Sequence, residues 1–312
     1  MTARLAFAGG LKLSWHCLKA LCEEGWVPHV AFGYDESLKG RSGYCDLGDL
    51  CRRYGIAYHR IRDINGALVA EELTAHEIDL FLVWNWSQLV KDPILSLPKI
   101  GCLGMHPTKL PLGRGRAPIP WSIIKGLRES AISIFFLTAG VDDGDLVWQE
   151  PFEIGDEEDA ASLYARLETL HERAVRSFCK LLRRGPLPRT PQDHAQATYW
   201  PRRRPQDGII DWSKTTDEQL RWIRALTDPY PGAFTSLNDA RFFFWKASRG
   251  FGRGGRGKII APGRTGGADV GTADGSIEIL IAQREGHDRK PAGDFLKTGE
   301  WRIGATFGGG SA

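Results

Sequence analysis

The sequence predicts an α/β protein in which a doubly wound, Rossmann-like parallel sheet is followed by a small OB-like β-barrel domain. The first part of the chain alternates strand and helix patterns, and its strands are nearly continuous apolar runs, as in sheets covered on both faces. Residues 185–206 are proline-rich and polar, which is typical of linkers, and short strand patterns with glycine turns follow them. We therefore predict an α/β domain over residues 1–184, a linker over 185–206 and a β-domain over 207–312.

The elements of the α/β domain follow from their apolar spacing. The predicted strands are "RLAFAG", "VPHVAFGY", "AYHRI", "IDLFLVW", "IGCLGMH", "SAISIFFLTAG" and "LVWQEPFEI". The predicted helices are "LSWHCLKALCEEG", "GDLCRRYG", "GALVAEELTAHE", "PWSIIKGL" and a long one over residues 156–184. Ligands of such sheets bind beyond the carboxyl ends of the strands, so we expect the functional site there.

The last part of the chain reads as a small β-domain with one amphipathic helix. "IIDWS" predicts a strand that leads to Ser213 as the N-cap of the helix "KTTDEQLRWIRAL". "DPYPG" predicts a turn, and the strands "AFTSLN", "RFFFWKAS", "GKIIAPG" and "IEILIAQ" follow it. Such a run of short strands indicates a partly open barrel.

Composition and charge exclude several classes of protein. The 312 residues carry a net charge of +3, and residues 201–312 hold 18 Lys and Arg against 13 Asp and Glu. This mild excess suits an anionic ligand such as a nucleotide diphosphate but is thin for a nucleic-acid binder. No stretch fits a membrane span or a secretory signal, and Gly9-Gly10 does not make a dinucleotide fingerprint. The six cysteines show no zinc spacing, so we expect reduced thiols, no metal site and a cytoplasmic location.

His106 is the first candidate for catalysis because it ends an apolar strand pattern. Pro107 favours an extended conformation at His106, and the later Pro111, Pro118 and Pro120 stiffen the loop that follows. A histidine with a pKa near neutrality takes and returns protons. The alternative is a purely structural crossover, in which Pro118 starts the next helix.

Residues 106–121, "HPTKLPLGRGRAPIPW", and residues 140–149, "GVDDGDLVWQ", resemble two motifs of the formyltransferases that use 10-formyltetrahydrofolate. That family includes enzymes acting on methionyl-tRNA and on nucleotide-linked amino sugars. "DGIIDWS" and "IRALTDPYPGAF" are similar to the C-terminal part of the sugar-directed branch. The resemblance implies transfer of a formyl group from 10-formyltetrahydrofolate, with tetrahydrofolate as product, to a nucleotide-linked amino sugar for surface polysaccharide such as the O-antigen of lipopolysaccharide. It also implies a homodimer.

The resemblance assigns catalysis to His106 and Asp142, but Gly104 stands where the family has an asparagine. An amide there would hold the oxyanion of the acyl-transfer reaction, and loss of such a donor costs about 100- to 1000-fold in rate. Three explanations stay open. The backbone N–H of Gly104 or a water could replace the amide, Asn85 or Gln88 could reach in, or the protein no longer catalyses transfer.

The resemblance and the charge pattern also suggest binding residues. For the folate we expect Trp84, Asn85, Ser87, Leu110, Arg114, Gly115, Ala139, Gly140 and Asp142. For the acceptor substrate we expect Met105, Pro107, Arg116, Trp200, Arg203 and Tyr230. Residues 202–204 are a run of arginines that can hold a diphosphate through bidentate contacts, or can be a solvated linker run.

Two rival functions remain beside the sugar formyltransferase. The first is formylation of another amine, such as an aminoacyl-tRNA or a hydroxylated ornithine. The second is a folate- or nucleotide-binding protein without catalysis, which the glycine at position 104 motivates. We predict a small-molecule partner, with neither a nucleic acid nor a membrane.

Overall fold

The computed structural model describes residues 3–308 and divides the chain into two compact units. The first unit holds the chain up to Pro118, Glu129–Glu153 and Tyr164–Arg202. The second holds Ile119–Arg128, Ile154–Leu163 and the chain from Arg203 onward. Residues 185–202, which we call the strap, thus belong to the first unit.

The first unit is built on a seven-stranded sheet and a separate two-stranded one. Its strands are β1 (Leu5–Ala8), β2 (Val30–Tyr34), β3 (Ala57–Ile61), β4 (Leu80–Trp84), β5 (Gly101–His106), β6 (Arg114–Gly115), β7 (Glu129–Phe136), β8 (Leu146–Glu153) and β9 (Tyr199–Trp200). The strand order is β3-β2-β1-β4-β5-β7-β8, and β6 pairs with β9. Five neighbouring strands are parallel, whereas β7 and β8 are antiparallel additions at one edge.

The predicted α/β fold is therefore confirmed, with a mixed sheet. Every residue of β1, β2 and β4 is buried, as expected for central strands covered on both faces. The helices of the first half are α1 (Lys12–Glu23), α2 (Gly48–Tyr54) and α3 (Ala67–Ala75), and then come α4 (Pro118–Ile124) and α5 (Ala160–Arg184). Apolar residues of α1 and α3 are buried, and Val69 and Leu73 of α3 pack in one cluster with Phe32 and Phe81 of the sheet.

The strap runs along the first unit as an integral part of it. Thr190 and Leu146 exchange two backbone hydrogen bonds, and β9 adds two residues in parallel pairing to β6. The segment that reads as a polar linker in the sequence is consequently anchored to the loop that follows His106.

The second unit is built on an antiparallel sheet, as the fold prediction requires, and also holds most of α4 and the start of α5. Its elements from Arg203 onward are α6 (Thr216–Leu226), β10 (Ala233–Leu237), β11 (Ala240–Arg249), β12 (Ile259–Pro262), β13 (Ala268–Gly271), β14 (Ser276–Arg284), β15 (Arg289–Pro291) and α7 (Ala292–Lys297). The strand order is β10-β11-β14-β13-β12, with β15 beside β14. The sequence prediction did not include the short strands β6, β9, β13 and β15.

The strand expected at "IIDWS" is wrong, and so is its N-cap. Only Ile209 forms an isolated bridge, with Phe234, and Ser213 closes a turn by donating its hydroxyl to Asp211. The N-cap of α6 is Thr215, because Thr215 and Glu218 bond each other's backbone reciprocally.

Neither a membrane span nor a metal-binding cluster is found in the described part of the chain. Within residues 3–308 there is no helix long and apolar enough to cross a membrane. Over the same residues, no group of three or more His, Cys, Asp and Glu side chains is arranged to hold a metal ion.

Candidate active site

The carboxyl edge of the parallel sheet brings Asn85 and His106 side by side. Trp84 and Met105 are register partners at the ends of β4 and β5. Asn85 follows Trp84, and His106 follows Met105, so the two residues leave neighbouring strands at the same level. The site therefore lies where doubly wound sheets bind their ligands.

His106 is buried and held in one orientation. Its Nε2 lies 2.9 Å from the backbone oxygen of Gly113, and its exposed fraction is 8%. Because a carbonyl oxygen only accepts, Nε2 carries the proton of the neutral ring, and Nδ1 is left as the basic nitrogen. Nδ1 faces the carboxylate of Asp142 at 3.9 Å, which is too long for a hydrogen bond. Nδ1 is thus free to accept a proton, and Asp142 is close enough to stabilise the resulting cation.

Asp142 is fixed by the backbone of the loop after His106. Its Oδ2 accepts a 2.8 Å hydrogen bond from the backbone N–H of Gly115, and its own backbone is left-handed with φ +50°. Gly115 has φ +105°, and a Cβ there would lie 2.6 Å from the backbone oxygen of Trp200. Glycine is required at 115 because the strap passes directly against it.

Gln192 of the strap joins the two sequence motifs, and sequence reasoning missed it. Its Nε2 donates to the backbone oxygens of Asp142 (2.9 Å) and Gly144 (2.7 Å). Its Oε1 accepts from Nη2 of Arg114 at 2.7 Å. Arg114 is 1% exposed and also donates to the hydroxyl of Tyr199. A glutamine in a proline-rich run gives no signal in the sequence, because its partners come from distant loops.

Gly104 has no room for a side chain. A Cβ built at this position would lie 2.7 Å from the ring of Phe135 and 2.8 Å from a methyl group of Leu137. Both contacts are closer than real Cβ atoms show, so the space next to the Gly104 Cα is filled by apolar groups rather than by water. The sheet pairs Gly104 with Val83 on one side and Phe135 on the other.

The two side-chain amides proposed as replacements differ in how they are used. Gln88 accepts from Ile64 N and Trp86 Nε1, both at 3.0 Å, and donates to Arg62 O at 2.9 Å. Asn85 has a left-handed backbone with φ +57°, and its Nδ2 is buried without a hydrogen-bond partner among the residues that the structure describes. Of the two, Asn85 is therefore the amide with an uncommitted donor.

The predicted folate residues lie at or near this edge, with side chains in different surroundings. Trp84 is fully buried and packs edge-on against Phe7 and Phe178, and Leu110 is also buried. Ala139 is exposed and Gly140 half-buried, in the turn that carries Asp142. A folate at this edge would meet the backbone of these segments, and their roles stay predictions.

The predicted acceptor residues are divided between the two units. Met105, Pro107 and Trp200 are buried in the first unit, where Met105 Sδ lies 3.8 Å from Cys17 Sγ. Arg203 belongs to the second unit and stacks on Trp222 at 4.5 Å and Trp121 at 5.0 Å. Tyr230 lies in the same unit, in the turn after α6. Of this set, Arg116 lies in the first unit and donates a hydrogen bond to the backbone oxygen of Ser87.

An arginine cluster is formed by Arg41 and Arg116, which both bond Ser87, and by Arg202, whose charge acts on Arg116. Arg41 donates to the Ser87 hydroxyl, and Arg116 donates to the Ser87 backbone oxygen. Burial and then the charges of Arg202 and Arg41 lower the pKa of Arg116. None of the three forms an ion pair with a carboxylate within residues 3–308. Sequence reasoning found Arg116 and Arg202 but missed Arg41, which comes from the loop after β2.

One cavity of about 600 Å³ borders the Asp142 turn in the first unit. Its lining includes Leu95, Cys102, Leu137, Thr138, Asp143 and Arg189, but neither His106 nor Asn85. We therefore do not assign the reacting group to this cavity.

Family models of the formyl transferase fold match both parts of the chain. "Formyl transferase" matches residues 57–177, and "Formyl transferase, C-terminal domain" matches residues 203–299. A methionyl-tRNA formyltransferase of Citrifermentans bemidjiense is 30% identical over 98% of this chain and 96% of its own. This chain belongs to the formyl transferase family. A methionyl-tRNA formyltransferase of Geobacter sulfurreducens is 35% identical over 94% of the chain and 93% of its own.

Solved structures share the fold at lower identity. HypX from Aquifex aeolicus, in complex with tetrahydrofolic acid, is 19% identical with a TM-score of 0.66 over 97% of this chain. This chain spans about half of HypX, 48% of its length. WlaRD, a sugar 3N-formyl transferase crystallised in the presence of dTDP and 5-N-formyl-THF, is 17% identical over 92% of this chain and all of its own, with a TM-score of 0.66.

The resemblance seen in the motifs is thus confirmed, as are the enzyme class and the formyl donor. The protein is a folate-dependent formyltransferase, and the donor of the family is 10-formyltetrahydrofolate. The residues present fit a formyl donor, because the edge offers an uncommitted buried N–H on Asn85 beside a histidine with a free basic nitrogen.

Proposed function

We propose that this formyltransferase acts on the amine of a nucleotide-linked amino sugar in the cytoplasm, supplying surface polysaccharide such as O-antigen. The observation that carries the proposal is the arginine cluster of Arg41, Arg116 and Arg202. We also propose the homodimer, which light scattering after size-exclusion chromatography would test.

The cluster has the chemistry of a diphosphate site. Guanidinium groups bind phosphate through charge-assisted, often bidentate hydrogen bonds. Cations gathered in one place repel one another, and a bound dianion would remove that repulsion. Arg116 is close enough to its two neighbours for their charges to lower its pKa. Such a compact group of charges suits two adjacent phosphates.

The surroundings of the cluster disfavour a long nucleic acid. The loop between β2 and α2 carries Asp35, Glu36 and Asp46 beside Lys39 and Arg41. A protein surface that binds a long nucleic acid has many basic residues distributed along the bound phosphate backbone. Methionyl-tRNA is nonetheless the second candidate acceptor, because the curated relatives at 30% and 35% identity are named methionyl-tRNA formyltransferases.

The contacts of His106 support a role for it in proton transfer. The acceptor amine attacks the formyl carbon, and Nδ1 of His106 removes the proton that this nitrogen sheds as the new C–N bond forms. Asp142 stabilises the imidazolium across the 3.9 Å gap. When the bond between the formyl carbon and the folate nitrogen breaks, His106 returns the proton to that nitrogen. Bonds and protons balance, and no oxidant or reductant is needed.

The proposed acceptor is tested by mass spectrometry with 10-formyltetrahydrofolate and a panel of UDP-, dTDP- and GDP-linked amino sugars. Methionyl-tRNA and a hydroxylated ornithine complete the panel, and the His106→Ala variant is the control. One formylated nucleotide sugar that disappears in the variant supports the proposal. Product from methionyl-tRNA alone would replace it with the second candidate. Product from no acceptor would contradict the proposed substrate.

The arginine cluster predicts which Michaelis constant its variants change. Arg41→Ala and Arg202→Ala should raise the KM for the acceptor about 10- to 100-fold, since hydrogen bonds to charged groups contribute about 1.5–3 kcal/mol. The KM for the formyl donor should stay within about threefold of the wild-type value. Arg52→Ala is the matched control, because Arg52 is an exposed arginine paired with Asp49. A raised KM for the folate alone would assign the cluster to the glutamate tail of the donor.

A further inference from the structure

Asn85 holds an unexplained polar group at the carboxyl edge, next to His106. Its amide nitrogen is buried and has no hydrogen-bond partner among residues 3–308. A buried donor left unpaired costs about 1–3 kcal/mol, so each such group calls for an explanation, and a catalytic role or a bound ligand is one of them. The backbone at Asn85 is also left-handed, which costs further free energy in any residue with a Cβ. Two unfavourable features in one residue of this edge indicate a role in the site.

The other candidates for the missing amide are already committed. The space beside Gly104 is filled by Phe135 and Leu137. β5 is paired on both sides at this residue, so the backbone N–H of Gly104 points at a neighbouring strand. Gln88 uses both ends of its amide within the loops on the β3 side of the site. Of the groups that the sequence suggested, Asn85 remains.

We propose that the Asn85 side-chain N–H binds the oxygen of the formyl group and stabilises its charge as the amine attacks. The inference rests on the transfer reaction proposed above and names the residue that replaces the amide absent at position 104. As the amine nitrogen forms its bond to the formyl carbon, the carbonyl π electrons move onto the oxygen. They return when the bond to the folate nitrogen breaks. Asn85 holds this oxygen while His106 carries the proton.

An infrared experiment tests the contact without any acceptor. The wild-type protein binds the stable donor analogue 10-formyl-5,8-dideazafolate, labelled with ¹³C at the formyl carbon, and the carbonyl stretch is isolated by isotope difference. A hydrogen bond lowers this frequency, so the band should lie lower in the wild type than in Asn85→Gly. Glycine keeps the left-handed backbone and removes only the side chain. Asn238→Gly is the matched control, since Asn238 is also left-handed, with φ +48°, in the turn between β10 and β11. The same band in wild type and Asn85→Gly would overturn the proposal.

Kinetics on the identified acceptor provide the second arm. Asn85→Gly and Asn85→Asp should lower kcat about 100- to 1000-fold, which is the usual effect of losing one oxyanion donor. Asn238→Gly should keep the wild-type kcat. An unchanged kcat in both Asn85 variants contradicts the proposal. If the wild type formylates no acceptor in the panel, the proposed function fails, and the infrared comparison still decides the role of Asn85.

Discussion

At the scale of single residues, the glycine at 104 is a packing feature as much as a missing catalytic group. In the relatives whose motif this sequence resembles, an asparagine occupies the position. Here the ring of Phe135 and the side chain of Leu137 occupy the place of its Cβ. A side chain at position 104 therefore requires Phe135 and Leu137 to shift.

Side chains introduced at position 104 should therefore destabilise the protein. Overpacking of a filled core costs about 1–3 kcal/mol, and we expect that loss in the free energy of unfolding for Gly104→Ala. Urea unfolding followed by circular dichroism measures it. Gly40→Ala is the matched control, because nothing lies within 4 Å of a Cβ at Gly40. Full stability of Gly104→Ala, or recovered activity on adding Gly104→Asn to Asn85→Gly, would show that the space is open.

His171 on α5 provides a pH-dependent contribution to stability. Its Nδ1 donates to Leu167 O at 2.7 Å, and burial lowers its pKa to about 4. The unfolded chain binds a proton near pH 6.5, whereas the folded protein does so only near pH 4. The stabilising contribution is therefore present above pH 6.5 and is lost as the pH falls toward 4.

We expect the free energy of unfolding to fall by roughly 3 kcal/mol between pH 6.5 and 4 because of this group alone. Urea denaturation at several pH values measures the slope, and the His171→Gln variant isolates the contribution of the imidazole. The variant should have a shallower slope over this range. Equal pH dependence of the unfolding free energy in the wild type and in His171→Gln would show that other groups cause the acid sensitivity.

At the scale of elements, the strap supports the active site. The strap is anchored to β6 through β9. The side-chain amide of Gln192 donates hydrogen bonds to the backbone oxygens of Asp142 and Gly144. Arg114, which belongs to the motif after His106, donates a hydrogen bond to the amide oxygen of the same glutamine. The turn with Asp142 and the loop with His106 are thus positioned by a third segment.

Gln192 is therefore predicted to be a positioning residue. Gln192→Ala and Gln192→Glu both remove the donation to the Asp142 turn, and we expect kcat to fall about 10- to 100-fold, since small displacements of a reacting group have effects of this size. The KM for the donor should change little. Gln196→Ala is the matched control, because Gln196 lies in the same strap and bonds the exposed Asp193. An equal loss in that variant, or full activity of Gln192→Glu, would argue against the role.

At the scale of the whole molecule, charge distinguishes the candidate acceptors. The chain has a net charge of +3, and its candidate phosphate site is one cluster of three arginines. At the proposed site a nucleotide sugar would contact only that cluster, whereas a tRNA would contact many basic groups along its backbone. The two acceptors therefore differ in how far salt weakens their binding.

The KM for a nucleotide-sugar acceptor should rise only a few-fold between 50 and 200 mM KCl. For a protein making six to ten phosphate contacts, affinity falls about 10³- to 10⁵-fold over the same range. Steady-state kinetics at four salt concentrations give the slope, with the KM for the formyl donor as internal reference. A steep dependence would favour a tRNA acceptor.

Sequence patterns alone establish most elements of the α/β domain, the strand that ends at His106 and the family. These depend on local patterns: apolar periodicity fixes which segments are strands and helices, and the two motifs are contiguous runs of residues. The positions of Asn85 and His106 at adjacent strand ends also follow, because parallel strands expose their carboxyl ends at one edge.

Three features follow from the three-dimensional contacts alone: which amide is free, what fills the space at Gly104 and what holds Asp142. Each depends on atoms that are distant in the chain: Phe135 against Gly104, Gln192 against Asp142, and Arg41 beside Arg116. Periodicity reports which face of an element is buried but not which side chain lies across from it. The polar strap read as a linker for the same reason, since the hydrogen bonds that hold it to the first unit leave no apolar periodicity in its sequence.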